Sequence, residues 1–330
     1  MEQLGSVRLK GGMPAEILRL SGPPDDGMAD LLELLAHKGG PWIWHLEQWY
    51  QGGTPGMGAD HYLARRQGRL VGNVTVFRNG ALGNVAHVYT APDSRKLGIA
   101  RALLAAAIAD FERNGGQVLS LYTRFNDFEW RLYESFGFVG ICPQDRYGGM
   151  VRFFPGADWE GLFRSESTAI STLEWKHFVG TQLLFGAPGP QQIRSIHLPC
   201  TGRRFVQAQF VRMKLSQANG ANIRAWAAEG PDPCVLGFAA VRQHPMWGKL
   251  GRRNVLDLFF HPTASQVSRH LLDTVLQDNR GPLECYCDSG AEHKIALLKE
   301  SHFKEYRIPS TFHCTGNGKS SDLLVMANEN

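Results

Sequence analysis

The order of hydrophobic and polar positions predicts alternating strands and helices in the first half of the chain. Residues 14–20 alternate apolar and polar side chains, which predicts a first strand. Two short helices follow, and Pro41 suits the first turn of the second. Residues 61–92 then predict three antiparallel strands, with a strong β-hairpin signal at Asn79-Gly80.

A long amphipathic helix is predicted at about residues 98–113. Its apolar side chains recur at helical spacing: Ile99, Leu103, Leu104, Ala107, Ile108 and Phe111. A strand, a further helix and a last strand follow up to about residue 150. Strands that alternate with helices indicate a parallel pair within a mixed sheet.

The second half repeats this order in weaker form, which predicts a duplicated domain rather than a solenoid. Pro, Gly and Asp cluster near residues 154–161 and place the boundary there, giving domains 1–155 and 156–330. Segments 168–186 and 203–217 are predicted to be the first helices of the second domain. The expected fold is α/β with two tandem domains, each a mostly antiparallel sheet with one splayed parallel pair, flanked by helices.

Composition narrows the class of protein. The chain has 330 residues, of which 43% are hydrophobic and 20% charged, as in soluble globular proteins. A net charge of +4 without a Lys/Arg cluster argues against a nucleic-acid partner. The sequence shows neither a signal peptide nor a membrane span, so a cytoplasmic protein is expected.

The six cysteines do not predict a metal site, because no CxxC pair is present. Cys285 and Cys287 alternate along a predicted strand and would share one of its faces. A reduced, partly buried pair is the expected arrangement.

The corner between the strand ending at Thr90 and the long helix is a candidate anion site. Gly98 and Ala100 allow close approach to a backbone whose first helical N–H groups have no partner within the helix. The helix dipole adds positive potential, so such a corner suits pyrophosphate, and Arg95 and Lys96 add charge at its rim. An ordinary strand–turn–helix with a surface Arg-Lys pair remains open.

A second segment, residues 125–138, supplies polar groups for catalysis. Asn126 and Tyr133 are about two helical turns apart and would lie on one helix face. A tyrosine can donate its proton to a departing thiolate, and an asparagine can pair with the amides of a long ligand. A core tyrosine and an N-cap asparagine remain the alternatives.

Together the two segments resemble the GNAT superfamily of acyl-CoA N-acyltransferases. The cofactor loop of that family, Gln/Arg-x-x-Gly-x-Gly/Ala, is matched by Arg95, Gly98 and Ala100. Its later pattern, Asn-x-x-Ala-x-x-Leu-Tyr-x-x-x-Gly-Phe, is matched by Asn126, Leu132, Tyr133, Gly137 and Phe138. One departure is Glu129, followed by Trp130, where the family usually has a small residue.

The resemblance implies a cofactor, acetyl-CoA or a related short acyl-CoA, and a direct transfer of its acyl group. The acceptor would be the primary amine of a small molecule, attacking within a ternary complex. Tyr133 would be the general acid, and the end of the preceding strand would pair with pantetheine and stabilise the oxyanion. The implied cofactor-binding residues are Val88, Tyr89, Arg95, Lys96, Leu97, Gly98, Ile99, Ala100, Arg101 and Asn126.

The general base and the acceptor pocket are less specified. Some relatives place a glutamate on the strand before the loop, where this chain has Ala86 and His87. A histidine with a near-neutral pKa can act as the base, although a packed, satisfied histidine is the alternative. Trp42, Trp44 and Trp49 are expected to line the acceptor pocket or to pack on the sheet.

The second copy is predicted to have lost the cofactor site. Aligning Pro262 with Pro92 leaves a shorter loop without glycine, and Leu298 takes the place of Tyr133. A non-catalytic ligand sensor and an O-acyltransferase remain alternative functions. The oligomeric state is expected to be a monomer or a homodimer, since two domains in one chain can imitate a dimer of single-domain relatives.

Overall fold

The computed structural model describes residues 1–22, 28–164, 169–230, 234–243, 254–279, 281–313 and 320–328. The chain folds into two units. The first comprises Met1–Val139 and Met150–Ala157, and the second comprises Gly140–Gly149 and Asp158–Asn330.

The first unit is built on a mixed sheet with helices on it. Its strands are β1 (Glu2–Arg8), β2 (Pro14–Ser21), β3 (Gly58–Arg66), β4 (Arg69–Asn79), β5 (Leu82–Thr90), β6 (Val118–Tyr122), β7 (Val139–Gly140) and β8 (Gly149–Phe153). Its helices are α1 (Met28–Leu35), α2 (Gly40–Tyr50), α3 (Ile99–Arg113) and α4 (Phe128–Glu134). The strand order is β1-β2-β3-β4-β5-β6-β8-β7.

Strands β5 and β6 are parallel and separate soon after they begin. They pair only from Leu82 with Val118 to Asn84 with Ser120, although β5 continues to Thr90. The buried Asn84 amide fixes the last pair, because its Nδ2 donates to the Ser120 carbonyl oxygen (3.1 Å) and hydroxyl (2.9 Å). Beyond that pair the two strands leave a gap in the sheet.

Helix α3 covers one face of this sheet. Its spacing places Leu103, Leu104 and Ala107 in the buried core. A polar group crosses that core, since the Tyr62 hydroxyl donates to Asp110 on the helix at 2.6 Å. This hydrogen bond joins the C-terminal part of α3 to β3 of the sheet.

The second unit contains a seven-stranded sheet. The strands of the whole unit, including two outside this sheet, are β9 (Ala169–Thr172), β10 (Ile193–Ser195), β11 (Cys200–Thr201), β12 (Ile223–Glu229), β13 (Val235–Gln243), β14 (Asn254–Phe260), β15 (Leu283–Asp288), β16 (Lys304–His313) and β17 (Ser320–Ala327). The helices in its described part are α5 (Trp159–Leu162), α6 (Phe178–Gly186), α7 (Gln207–Ala218), α8 (Ser265–Asp278) and α9 (Glu292–Glu300). Strands β10 and β11 form a separate pair.

The large sheet of the second unit has the same topology as β2 to β8 of the first. Its order is β9-β12-β13-β14-β15-β17-β16, antiparallel from β9 to β14. Strands β14 and β15 are parallel and pair over three residues, from Asn254 with Leu283 to Leu256 with Cys285. In this order β14 and β15 correspond to β5 and β6, and α8 corresponds to α3.

The predicted fold class is confirmed, since both sheets are mixed and carry helices. Three local predictions were wrong. Strand β1 was missed, the last strand of the first half is two strands (β7 and β8), and the predicted helix 168–186 begins with strand β9. Cys285 and Cys287 lie on β15 and are both free and buried. Among the described residues, no helix has the length and hydropathy needed to cross a bilayer.

Candidate active site

A β-bulge distorts β5 next to the gap in the sheet. Asn73 pairs with Tyr89 and Thr75 pairs with Ala86, so β5 advances by one residue more than β4. His87, at the bulge, has a φ of 51°. The buried Asn73 amide holds this turn of the backbone, because its Nδ2 donates to the His87 carbonyl at 2.8 Å. A bulge re-aims a side chain, and here it turns His87 and Val88 relative to the rest of the strand.

A cavity of about 340 Å³ lies where β5 and β6 separate. It brings together residues from three elements and from the segment between α1 and α2. Its lining comprises residues 85–88 of β5, residues 122–124 at the end of β6, and Lys38, Asp127, Glu129 and Tyr133. Three predicted site residues therefore meet in one cavity: His87, Val88 and Tyr133.

Tyr133 is buried on α4, with its ring centroid 6.0 Å from that of Phe138. Burial, and then the nearby charge of Glu129, raise the pKa of the Tyr133 hydroxyl. The hydroxyl is therefore protonated at neutral pH and has a proton to donate. Tyr133 is both a core aromatic and a cavity residue.

His87 is buried against Trp42 and Phe77, whose ring centroids lie 5.4 and 5.7 Å away. Burial is the largest cause that holds the pKa of His87 well below 6.5, followed by the electrostatic influence of His45 and Lys38. The pKa of His87 in the folded protein is therefore lower than the near-neutral value expected from the sequence for a general base. Within the described residues, Nε2 of His87 has no hydrogen-bond partner. The neutral ring thus has an unused nitrogen in a residue that lines the cavity.

The loop before α3 contains two residues with a left-handed backbone conformation. A 3₁₀ turn, Pro92–Ser94, leads into Lys96 with a φ of 64° and Gly98 with a φ of 92°. Helix α3 then begins at Ile99, so the first N–H groups of the helix follow the loop directly. Gly98 suits this conformation because a residue with a Cβ is strained at that φ, even though the surrounding space is open.

Side chains and backbone groups fix the loop in place. Arg95 donates through Nε to the Thr90 carbonyl at 3.2 Å, and the carbonyl of the half-buried Leu97 accepts from the backbone N–H of Lys10 at 3.1 Å. Ile99 is buried, whereas Lys96 and Gly98 are exposed. The exposed part of the loop faces solvent while its apolar residues anchor it.

The C-terminal part of the predicted loop lies on the first turn of α3. Ala100 is half-buried, and Arg101 is exposed and donates to the Ser135 hydroxyl at 3.1 Å. Arg101 therefore joins the start of α3 to the end of α4.

The predicted helical spacing of Asn126 and Tyr133 was wrong. Helix α4 begins at Phe128, and Asn126 lies before it with a φ of 57°. The N-cap is Asp127, whose side chain accepts from the N–H of Phe128 at 2.6 Å. Asparagine tolerates positive φ, which explains its place in the turn. Asn126 is exposed and is not part of the cavity lining.

The predicted acceptor-site tryptophans lie on α2, outside the cavity lining. Trp49 is buried and packs against His61, with 4.6 Å between ring centroids. Trp44 is half-buried. Trp42 is also half-buried and contacts the His87 ring from its edge, so it directly borders a cavity residue.

Sequence reasoning missed Lys38 and Arg124, and it treated Glu129 only as a departure from a pattern. Arg124 and Glu129 lie in the stretch from the end of β6 into α4, where their closeness to Tyr133 was a usable signal. Lys38 ends the 3₁₀ turn Ala36–Lys38 between α1 and α2. No local pattern marks it, because it reaches the cavity only through the fold.

The corresponding corner of the second unit lacks the loop. The 3₁₀ turn Pro262–Ala264 is followed at once by α8, which begins at Ser265. The end of α9 matches the end of α4: the Phe303 N–H donates to the Leu298 carbonyl at 2.9 Å, as Phe138 does to Tyr133 at 3.2 Å. This geometry places Leu298 where the first unit has Tyr133.

The segment around β10 lies against the diverging strands of the second unit, β14 and β15. Asp288, at the end of β15, accepts from the N–H groups of Gln192 and Ile193, both at 2.8 Å. Asp257, the first residue of β14 beyond the parallel pairing, accepts from the N–H of Ile196 at 2.8 Å. The chain itself therefore occupies the edge that corresponds to the cavity of the first unit.

Comparison with known proteins gives one family match and several weak structural similarities. None of the curated proteins compared matches this chain. The ribosomal-protein-alanine N-acetyltransferase of Brucella melitensis has 17% identity and a TM-score of 0.39, covering 49% of this chain and all of its own. A phosphinothricin acetyltransferase of Sinorhizobium meliloti, solved with AcCoA, has 11% identity and a TM-score of 0.39, covering 49% of this chain and 88% of its own.

A spermidine/spermine N-acetyltransferase of Vibrio cholerae is similar at 15% identity and a TM-score of 0.37, over 49% of this chain and 93% of that one. The family match covers β5, β6 and α4, which contribute most of the cavity lining, but not Lys38. Over residues 58–140, from β3 into β7, the chain matches the family model of the acetyltransferase (GNAT) domain.

Proposed function

We propose that the protein is an N-acetyltransferase that moves an acetyl group, or a related short acyl group, from its CoA thioester to the primary amine of a small molecule. One observation carries the proposal. A single cavity at the divergence of β5 and β6 contains the bulged strand with His87 and Val88 together with Tyr133. The segment that matches the acetyltransferase domain contains all three.

Residues of the cavity and of the loop before α3, which is not part of the cavity lining, would together hold a CoA thioester. The N–H groups of residues 96–101 at the start of α3 would hold the pyrophosphate, with the helix dipole favouring the anion. Because β5 has lost its neighbour beyond Asn84, its backbone near Val88 and Tyr89 would pair with the amides of pantetheine. The thioester supplies an activated acyl group when it is bound.

The proposed chemistry uses two uncharged side chains. A backbone N–H near the bulge would stabilise negative charge on the carbonyl oxygen as the amine attacks. Tyr133 would donate its proton to the departing thiolate. His87 would accept a hydrogen bond or a proton from the amine, directly or through water, through its unpartnered Nε2.

For the second unit we propose a degenerate copy of the same domain, with the boundary near residue 155. It lacks the loop between the 3₁₀ turn and the helix and has Leu298 in place of the tyrosine. Its corresponding cleft holds the segment around β10. One cofactor site per chain is therefore expected, whether the protein is a monomer or a homodimer.

Calorimetric titration of acetyl-CoA tests this proposal. We expect one site per chain in the unmodified protein. Gly98→Glu should weaken binding by about 100-fold, because it strains the backbone and places a negative charge at the pyrophosphate.

The matched control is Gln266→Glu, which adds the same charge on the exposed first turn of α8. It should leave binding unchanged. Two sites per chain would contradict the degenerate second unit, and no binding at all would contradict the transferase.

A further inference from the structure

Lys38 is a cation on the cavity wall that neither the mechanism nor the sequence motifs use. It ends the short turn between α1 and α2, and its half-buried side chain lines the cavity together with His87. Tyr133 lines the same cavity from α4. Lys38 therefore belongs to the α1–α2 side of the site.

The Lys38 ammonium has no carboxylate partner within the described residues. No ion pair or hydrogen bond to its Nζ is formed there, whereas Asp127, an acidic residue of the same cavity, caps α4 by accepting from Phe128. The half-buried position of Lys38 removes part of its charge from water, and this burial lowers the pKa of its ammonium. A desolvated charge without a partner costs free energy that an incoming anion would offset.

The nearby histidines do not compensate this charge. Burial first, and the Lys38 charge second, lower the pKa of His37, and Lys38 is also among the groups that lower the pKa of His87. Both rings are neutral at pH 7. Asp127 and Glu129 also line the cavity and would attract an ammonium, whereas a carboxylate on the same molecule would meet an attractive charge at Lys38.

We propose that Lys38 binds an anionic group of the acceptor, so that the acceptor is a small amino acid-like molecule carrying both a primary amine and a carboxylate. This inference rests on the proposed function. The cavity volume of about 340 Å³ is near the small end of the range for ligand sites, so it suits a small acceptor. A carboxylate on the acyl group, as in a dicarboxylic acyl-CoA, is the other source of the same charge.

Matched pairs of acceptors test the proposal. Alanine, leucine and phenylalanine are each compared with the amine that remains when the carboxylate is removed: ethylamine, isopentylamine and phenethylamine. With acetyl-CoA as donor, we expect kcat/KM to be about 10- to 100-fold higher for each amino acid than for its amine. Lys38→Met should reduce that ratio to about 1 and leave the Kd of acetyl-CoA unchanged.

The control is Lys10→Met, which removes the exposed ammonium of a lysine that does not line the cavity and keeps the backbone N–H that bonds to Leu97. It should preserve the ratio. Equal kcat/KM within the pairs, or an equal loss for both members in Lys38→Met, would overturn the proposal. So would a Lys38→Met defect that appears only when succinyl-CoA replaces acetyl-CoA, since the anion would then belong to the donor.

A binding measurement separates this inference from the proposed function. The same amino acids are titrated calorimetrically into the CoA-saturated protein. Amino acid binding that is lost in Lys38→Met but retained in Lys10→Met supports the carboxylate site. If such binding is seen but no amino acid is acetylated, only the proposed transferase function is contradicted. Absence of both binding and turnover overturns the inference.

Discussion

At the scale of single residues, burial shifts the pKa values of the two side chains proposed to react, Tyr133 and His87, in opposite directions. Burial removes the charged form of each, raising the pKa of Tyr133 and lowering that of His87. Both side chains are therefore uncharged at pH 7. A proton donor and a proton acceptor thus lie in one cavity without an ion pair between them.

The role of Tyr133 is tested by removing only its hydroxyl. Tyr133→Phe keeps the ring packed against Phe138, so we expect kcat to fall by about 100-fold while the Kd of acetyl-CoA changes little. Tyr50→Phe, an exposed tyrosine on α2, is the control. Steady-state kinetics and calorimetry give the two readings, and an unchanged kcat would exclude Tyr133 as the acid.

At the scale of elements, the bulge of β5 sets where the cavity residues point. Asn73 on β4 holds it through the His87 carbonyl and also donates to the Thr75 hydroxyl at 3.0 Å. Without this amide, the carbonyl of a buried residue would lose its partner and the bulge would relax.

Asn73→Ala should therefore lower kcat/KM by about 10-fold or more and destabilise the fold by about 1–3 kcal/mol. Asn79→Ala is the matched control on the same strand, since the Asn79 amide donates to the Gly56 carbonyl at 2.6 Å, near the hairpin end. It should reduce stability, measured by urea unfolding, without a comparable loss of kcat/KM. Equal losses of activity in the two variants would show that the bulge has no special role.

Local signals predicted many of the elements but only part of the site. The Asn79-Gly80 hairpin and the apolar spacing of α3 were readable, because each is encoded within a few residues. Strand β1 could not be predicted in this way. Its pairing is irregular at Gly5 and its residues are mostly exposed, so no alternation of apolar and polar side chains marks it. Lys38 was also missed, because β3 and β4 separate it in sequence from the cavity residues of β5.

At the scale of the whole molecule, the first unit contains three buried histidines on or beneath α2: His45, His61 and His87. Burial is the main cause that lowers the pKa of His45 and of His61 to about 3. The unfolded chain binds protons at these residues below pH 6.5, whereas the folded protein does not. Acid therefore favours the unfolded chain.

We expect the free energy of unfolding to fall as the pH drops from about 6 to 4, by roughly 1.4 kcal/mol per pH unit for each buried histidine. His61→Gln should reduce this slope by about that amount, whatever its effect on stability at pH 7. His270→Gln, which replaces an exposed histidine of α8, is the control. Urea unfolding at several pH values gives the slope, and an unchanged slope in His61→Gln would contradict the prediction.

The segment around β10 has a consequence for how the second unit responds to dissolved molecules. It is covalently joined to the strands that it covers, so its local concentration there does not fall when the protein is diluted. Tethered groups commonly act at millimolar effective concentration. A free molecule would have to displace this tethered segment, which is always present at that effective concentration. It would also have to break the hydrogen bonds that Asp257 and Asp288 accept from the N–H groups of the segment. The occupancy of this cleft is therefore set by the chain rather than by the supply of metabolites.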